Sequence, residues 1–228
     1  AVLPLGALAP LAMCAIVAER LAVPQRPDAV AVMPGDDQEV WIDRIAARSQ
    51  GNPFFAQELV RHLRRTGVDP ARWAAELPDS IEALVTTRID ALPAADKRSL
   101  QTCAVIGKHV DAAVLARVAR LPFGRLAPAL RRLQAAELIA PAQGLHGARA
   151  LTFVHPVIQE AAYGAQLRVR VKGVHARVAA VMEDRFAHGP HAGELAALTA
   201  HHWEQAGRLL PAARQAVRRA DPERAVRI

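Results

Sequence analysis

Two short stretches hold residues whose types and spacing could do chemistry. In Gly51-Asn52-Pro53-Phe54-Phe55 a rigid corner sets a proline ring beside two aromatics. Such a corner is either a helix start that packs on its neighbours or an apolar shelf for a flat ring such as a nucleobase. His155 lies between the strand-like run Leu151-Thr152-Phe153-Val154 and a helix that opens at Pro156. An imidazole there either packs between the two elements or points into a cleft. In the second case it contacts a phosphate, helped by the free N–H groups of a helix N-terminus.

Other combinations exclude themselves. Gly107-Lys108 resembles the end of a phosphate-binding loop, but Thr102 stands where the first glycine is needed and His109 where Ser or Thr would hold Mg²⁺. Among nine histidines, His188, His191, His201 and His202 are close in sequence, yet no HExxH or Cys/His spacing supports them. Adjacent residues on a helix point to different sides, so these read as solvated or helix-surface histidines. No Ser or Cys sits in a nucleophile elbow. The chain is expected to carry no catalytic residue and no metal site of its own. Cys14 and Cys103, each in apolar company, read as buried thiols and not as a disulfide framework.

The elements that must position these residues are helices. Hydrophobic residues make up 52% of the 228 and aromatics only 4%, a filling of Ala, Leu and Val that suits close helix packing. Apolar spacing predicts helices over 11–22, around Trp41, Ile42 and Ile45 with Asp36 or Asp37 as cap, and from Pro53 to the Gly67–Pro70 region. In the last of these, Glu58, Arg61, Arg64 and Arg65 are expected on the polar surface. Further helices carry Leu84, Val85 and Ile89 after an Asp79 or Ser80 cap, run over 94–105, follow an Asp111 cap, and span 124–136. The period changes only at Leu138-Ile139-Ala140 and 151–154, which read as a β-hairpin, followed by a helix from Pro156 to about Leu167. From Val174 the chain is helical again. A helix over 194–206, Gly207 and another helix from Pro211 have the layout of a solenoid repeat. The fold class is therefore mostly α: a helical subdomain over 1–75, a winged-helix-like domain with a small hairpin over 77–172, and the start of tetratricopeptide-like repeats over 174–228.

The net charge of +7 permits contact with nucleic acid, but the arginines are scattered. The densest cluster, Arg168-Val169-Arg170-Val171-Lys172, lacks interleaved aromatics for base stacking. Nucleic acid is not the expected partner. Residues 1–18 are uncharged, but Pro4, Gly6 and Pro10 interrupt them and Glu19-Arg20 follow at once, which argues against a signal or membrane segment. A cytoplasmic setting is expected. Opening on Ala1, the chain reads as part of a longer protein.

Five blocks in order carry a family resemblance: GNPFFAQELVRHL (51–63), LPDSIEALVTTRIDALPAADKRSLQTCAVIGKHVD (77–111), ALRRLQAAELI (129–139), LTFVHPVIQEAAYGAQL (151–167) and LTAHHWEQAGRL (198–209). Together they resemble the STAND-type AAA+ signalling ATPase module of bacterial multidomain regulators, associated with adenylate/guanylate cyclase domains, kinase domains or LuxR-type DNA-binding domains. The resemblance implies that residues 1–20 leave a P-loop core, 21–75 form its helical lid, 77–172 the winged helix and 174–228 the first repeats. The core, with the Walker motifs that bind ATP or ADP and Mg²⁺, would lie upstream, so no cofactor is expected on this chain alone. By the same resemblance Gly51 and Pro53 pack against adenine, and His155 reaches the β-phosphate of ADP. Implied partners are the upstream core and output domain of the same chain, proteins bound by the repeats, and further copies in an oligomer. Two alternatives stand beside this. One is a winged-helix DNA-binding regulator using Arg125, Arg131 and Arg132; the other is a non-catalytic helical interaction module.

Overall fold

The computed structural model describes residues 7–22, 38–66, 80–143, 149–186, 192–209 and 211. The chain divides into two compact units, Ala1–Thr87 and Arg88–Ile228. Both are built mainly of α-helices, and the second adds a small three-stranded sheet.

In the first unit, α1 (Pro10–Ala22), α2 (Gln38–Ser49) and α3 (Pro53–Thr66) pack pairwise against one another. Their shared core holds Met13, Val17, Trp41, Ile45, Ala56, Leu59, Val60 and Leu63, joined by Leu84 from α4 (Ile81–Asp90). Ser80 caps α4, its Oγ accepting the Ala83 N–H at 3.2 Å. Arg64 of α3 donates to the carbonyls of Arg20 and Leu21 at 2.7 and 2.8 Å, satisfying acceptors that α1 leaves open at its C-terminus. Glu58 corrects the expected polar surface of α3: it is only 2% exposed and receives Arg61 at 2.6 Å. A carboxylate in that position is tolerated because a guanidinium one turn along the helix follows it inward.

In the second unit, α5 (Ala94–Ile106) is buried along nearly its whole length and contacts the helices around it. A helix buried on most of its faces is a central one, and α5 leaves only the start of its first turn and Arg98 exposed. Gly107 ends it with φ +132°. The strand β1 (His109–Asp111) follows, then α6 (Ala112–Ala119), α7 (Phe123–Ala135), β2 (Ile139–Gln143), β3 (Arg149–Phe153) and α8 (Pro156–Gly164). Asp111 caps α6, accepting the Ala113 and Val114 N–H groups at 2.7 and 3.0 Å. The sheet is antiparallel in the order β1-β3-β2, with Thr152 opposite both His109 and Ala140. The hairpin strands therefore form, and a third strand joins them that the sequence reading did not include. Three residues are too few to show an alternating pattern.

The helix after the hairpin also ends earlier than expected, at Gly164. The side chain of Gln166 instead donates to the Gln101 and Ala162 carbonyls, both at 3.1 Å. The next helix, α9 (Arg168–Phe186), begins in the basic cluster and packs on α6, α5 and α10 (Ala192–Gln205). Ala179 and Trp203 are buried at the α9–α10 contact, with Ala176 and Ala206 beside them. The expected caps Asp36, Asp37 and Asp79, the histidines His188 and His191, and the continuation of a repeat helix beyond Pro211 lie outside the described residues. No helix among the described residues is long and apolar enough to cross a membrane.

Candidate functional site

Gly51 and Pro53 stand together at the turn from α2 into α3. Gly51 has φ +78°, and a Cβ there would meet the Ala7 Cβ at 2.6 Å and the Leu8 backbone N and O at 2.9 Å. The Leu8 N–H donates to the Gly51 carbonyl at 3.0 Å. Glycine is therefore required both by its dihedral and by the close passage of the segment that enters α1. Asn52 caps α3, its Oδ1 accepting the Phe54 and Phe55 N–H groups at 3.1 and 3.2 Å. Pro53 occupies the first helical position, where a missing N–H breaks no helical hydrogen bond. Phe54 is buried, and half-buried Phe55 packs on the core of the first unit.

His155 belongs to the second unit and is the N-cap of α8. Its Nδ1 accepts the Val157 N–H at 3.3 Å, and the Ile158 N–H donates to its carbonyl at 3.1 Å. With Nδ1 accepting, the ring's donor is its Nε2–H. Half-buried His155 follows Val154, whose N–H donates to the Leu138 carbonyl at 3.2 Å, so the ring is held where the sheet hands over to the helix.

A polar chain that the sequence reading did not assemble runs through α8, α9 and α10. The Tyr163 hydroxyl is 2.9 Å from His175 Nε2, and His175 Nδ1 is 2.7 Å from His202 Nδ1. Both histidines are 2% exposed, whereas His201 is exposed. His202 therefore departs from the expected solvated histidine: the adjacent pair does face two ways, and one way is inward. Two facing Nδ1 atoms share one proton, so one ring donates and the other accepts. The Ile106 carbonyl favours the charged form of the His202 ring against the effect of burial, while buried His202 Nε2 has no hydrogen-bond partner. Tyr163 donates to His175 Nε2 when His175 donates from Nδ1, and accepts from it when His175 accepts there. Burial first, then positive neighbours, push His175 down to about 4 and His202 down to about 3, so both are neutral at pH 7. Trp203, next along α10, donates from Nε1 to Glu183 of α9 at 2.9 Å. A polar residue at core spacing within each helix was the only sequence signal for this chain.

A second polar junction ties α7 to α5. Arg132 donates from Nε and Nη2 to the two carboxylate oxygens of Asp96 at 2.7 and 2.6 Å, and Asp96 is 1% exposed. All three α7 arginines named above are exposed; Arg132 differs in being paired with the buried Asp96. Cys103 is fully buried, and burial pushes its thiol up to about 12, which makes it inert as a nucleophile. Cys14 is half-buried, with Sγ 3.9 Å from Asp43 Oδ1. Among the described residues no group of three or more His, Cys, Asp or Glu is arranged to hold a metal ion.

Comparison with protein-family models and with curated proteins returns no match.

Proposed function

We propose that these residues form the regulatory part of an ATP/ADP-switched signalling ATPase, with a lid-like helical unit, a winged-helix-like domain and the first repeats of a solenoid. The observation that carries this reading is the order of elements in the second unit. Helix α5, strand β1, helices α6 and α7, and the β2–β3 hairpin form an antiparallel sheet ordered β1-β3-β2, followed by α8 with His155 as its cap. That order accords with a winged-helix domain, and His155, as the cap of α8, stands at a helix N-terminus of the kind that binds phosphate. The α9–α10 pair, with small residues at its contact, accords with the opening of a helical repeat.

In this reading Pro53 offers an apolar surface to adenine, and His155 offers its Nε2–H to a phosphate oxygen. An upstream core supplies the binding of ATP or ADP and Mg²⁺. A contact made in the ADP state alone shifts the equilibrium towards the closed form and restrains the attached output domain, a cyclase or a transcriptional one.

The test is ADP titration of the natural gene product that contains these residues, as wild type, His155→Asn and His155→Ala. Asparagine keeps a side-chain acceptor for the Val157 N–H and removes the imidazole, so it separates capping from ligand contact. A loss of ADP affinity of about tenfold in both variants is expected for one charge-assisted hydrogen bond. Equal affinities in all three would remove His155 from the site, and absence of nucleotide binding in the wild type would overturn the reading. A second reading, DNA binding through exposed Arg125 and Arg131, predicts salt-dependent capture of duplex DNA that is lost when both are replaced by Gln.

A further inference from the structure

The contact between α6 and α9 changes character along its length. Near one end, carboxylates and guanidinium groups pair across it: Arg117 with Asp184 at 2.6 Å and Arg185 with Asp111 at 3.4 Å. Towards the start of α9 the pairing stops. Half-buried Arg177 donates from Nε to the Val118 carbonyl at 3.2 Å, which pins its guanidinium on the last turn of α6. Its Nη1 lies 3.9 Å from where a Cβ would sit on Gly173, so the group folds back along α9 towards Arg170. Arg170 is seven residues before Arg177 and shares its helical face. Two residues beyond Val118, Arg120 ends α6.

Arg120 is held at a conformational cost. It adopts φ 55°, ψ 38° as the C-cap, while the Leu121 N–H bonds the Ala116 carbonyl at 3.1 Å and the Arg120 N–H the Arg117 carbonyl at 3.1 Å. This is the helix-ending motif in which glycine is favoured. Arginine here adds a third guanidinium within electrostatic reach of Arg177, at a position where its backbone is strained. Arg120 and Arg170 both act on Arg177, lowering its pKa after burial as the first cause. Among the described residues none of the three has an ion-pair partner. Three like charges gathered at one place repel, and an anion resting between them would relieve the repulsion.

We infer that Arg120, Arg170 and Arg177, where the end of α6 meets the first half of α9, form a binding site for a phosphate group, separate from the nucleotide contacts proposed above. Planar guanidinium forks fit the oxygens of a phosphate, and Gly173, with no side chain, lets the Arg177 guanidinium lie along α9. Leu167 and Val169, 81% and 84% exposed, sit at the start of α9, just before and within its first turn. The phosphate is therefore carried either by a small free ligand or by a phospholipid headgroup whose acyl region those two side chains would meet.

The test is calorimetric titration of the intact chain with inorganic phosphate and pyrophosphate at low salt, with the melting temperature recorded in parallel. Binding on the order of 0.1–1 mM is expected for the wild type. Gly173→Asp places a carboxylate among the arginines at a position where Asp is at least as good a helix former as Gly. It should fold with unchanged or raised melting temperature and abolish binding. Arg120→Gly relieves the backbone strain, so it should melt no lower than wild type while binding at least tenfold more weakly. Arg98→Gln, on the exposed side of α5, should bind as wild type does. No binding by the wild type, or equal weakening by Arg98→Gln and the cluster variants, would overturn the site. Phosphatidate-containing phosphatidylcholine vesicles distinguish the two sources. Capture that free phosphate competes away and Gly173→Asp abolishes assigns a headgroup; phosphate binding without capture assigns a free ligand.

Discussion

His175 Nδ1 and His202 Nδ1 face each other at 2.7 Å, joining α9 to α10 through a single shared proton. The contact is lost when both rings are protonated, since two imidazolium groups would present donor to donor.

Stability should therefore fall on acidification in a defined window. Unfolded histidines titrate near 6.5, whereas the folded pair takes up protons only at about 4 for His175 and about 3 for His202. Above pH 6.5 both states are neutral and the pair imposes no pH dependence. Between 6.5 and 4 the unfolded chain binds more protons, so stability drops as pH falls, and the dependence flattens below about 3. His202 alone contributes a loss of about 3 kcal/mol by pH 4. Urea unfolding from pH 7.5 to 4, followed on wild type and His202→Phe, measures this. A wild-type slope no steeper than the variant's would sink the assignment.

Gly51→Ala should destabilise the first unit. The φ of +78° strains any L side chain, and the new Cβ collides with Ala7 and the Leu8 backbone. A loss of about 2–4 kcal/mol is expected, since neither the dihedral nor the backbone contact can relax cheaply. Chemical denaturation followed by the fluorescence of Trp41, which lies in that core, reads it out.

Asp111→Ala removes the acceptor for two N–H groups of α6 and a partner of Arg185. About 1 kcal/mol should be lost, most of it from the cap. Asp111→Asn should recover the greater part of the loss in the same denaturation assay; recovery of none would show that the charge, and not the cap, matters.

Thiol labelling should separate the two cysteines. Buried Cys103, its thiol pushed up to about 12, is protected in the folded chain, whereas half-buried Cys14 is within reach of reagent. Iodoacetamide at pH 8 should modify Cys14 at least tenfold faster by peptide mass mapping, a ratio that collapses in urea. Equal rates in the folded chain would contradict the burial of Cys103.

Much of the local structure was legible because its causes are local. Asp111, Ser80 and Asn52-Pro53 start helices at positions where side-chain oxygens meet N–H groups two or three residues away. Leu126, Leu130 and Leu133 share one face of α7 and are all buried. His155 could be placed between strand and helix by its neighbours alone.

What the tertiary structure decided are the relations between residues far apart in the chain. Glu58 reads as a surface carboxylate until Arg61 is seen to accompany it inward. Asp96 and Arg132 are 36 residues apart, and His175 and His202 are 27 apart. No spacing rule links such pairs, because their contact depends on how helices pack, and packing is set by the sum of many apolar contacts. The same holds for β1, whose three residues become a strand only against β3, and for Arg168–Lys172, which in sequence is a short basic run. Folding turns that run into the first turn of α9 and sets Arg170 on the same face as Arg177, whose guanidinium is pinned beside the end of α6. Periodicity and capping chemistry thus determine which segments are helices. Which polar groups end up buried, paired or left facing like charge is decided by the approach of those helices to one another.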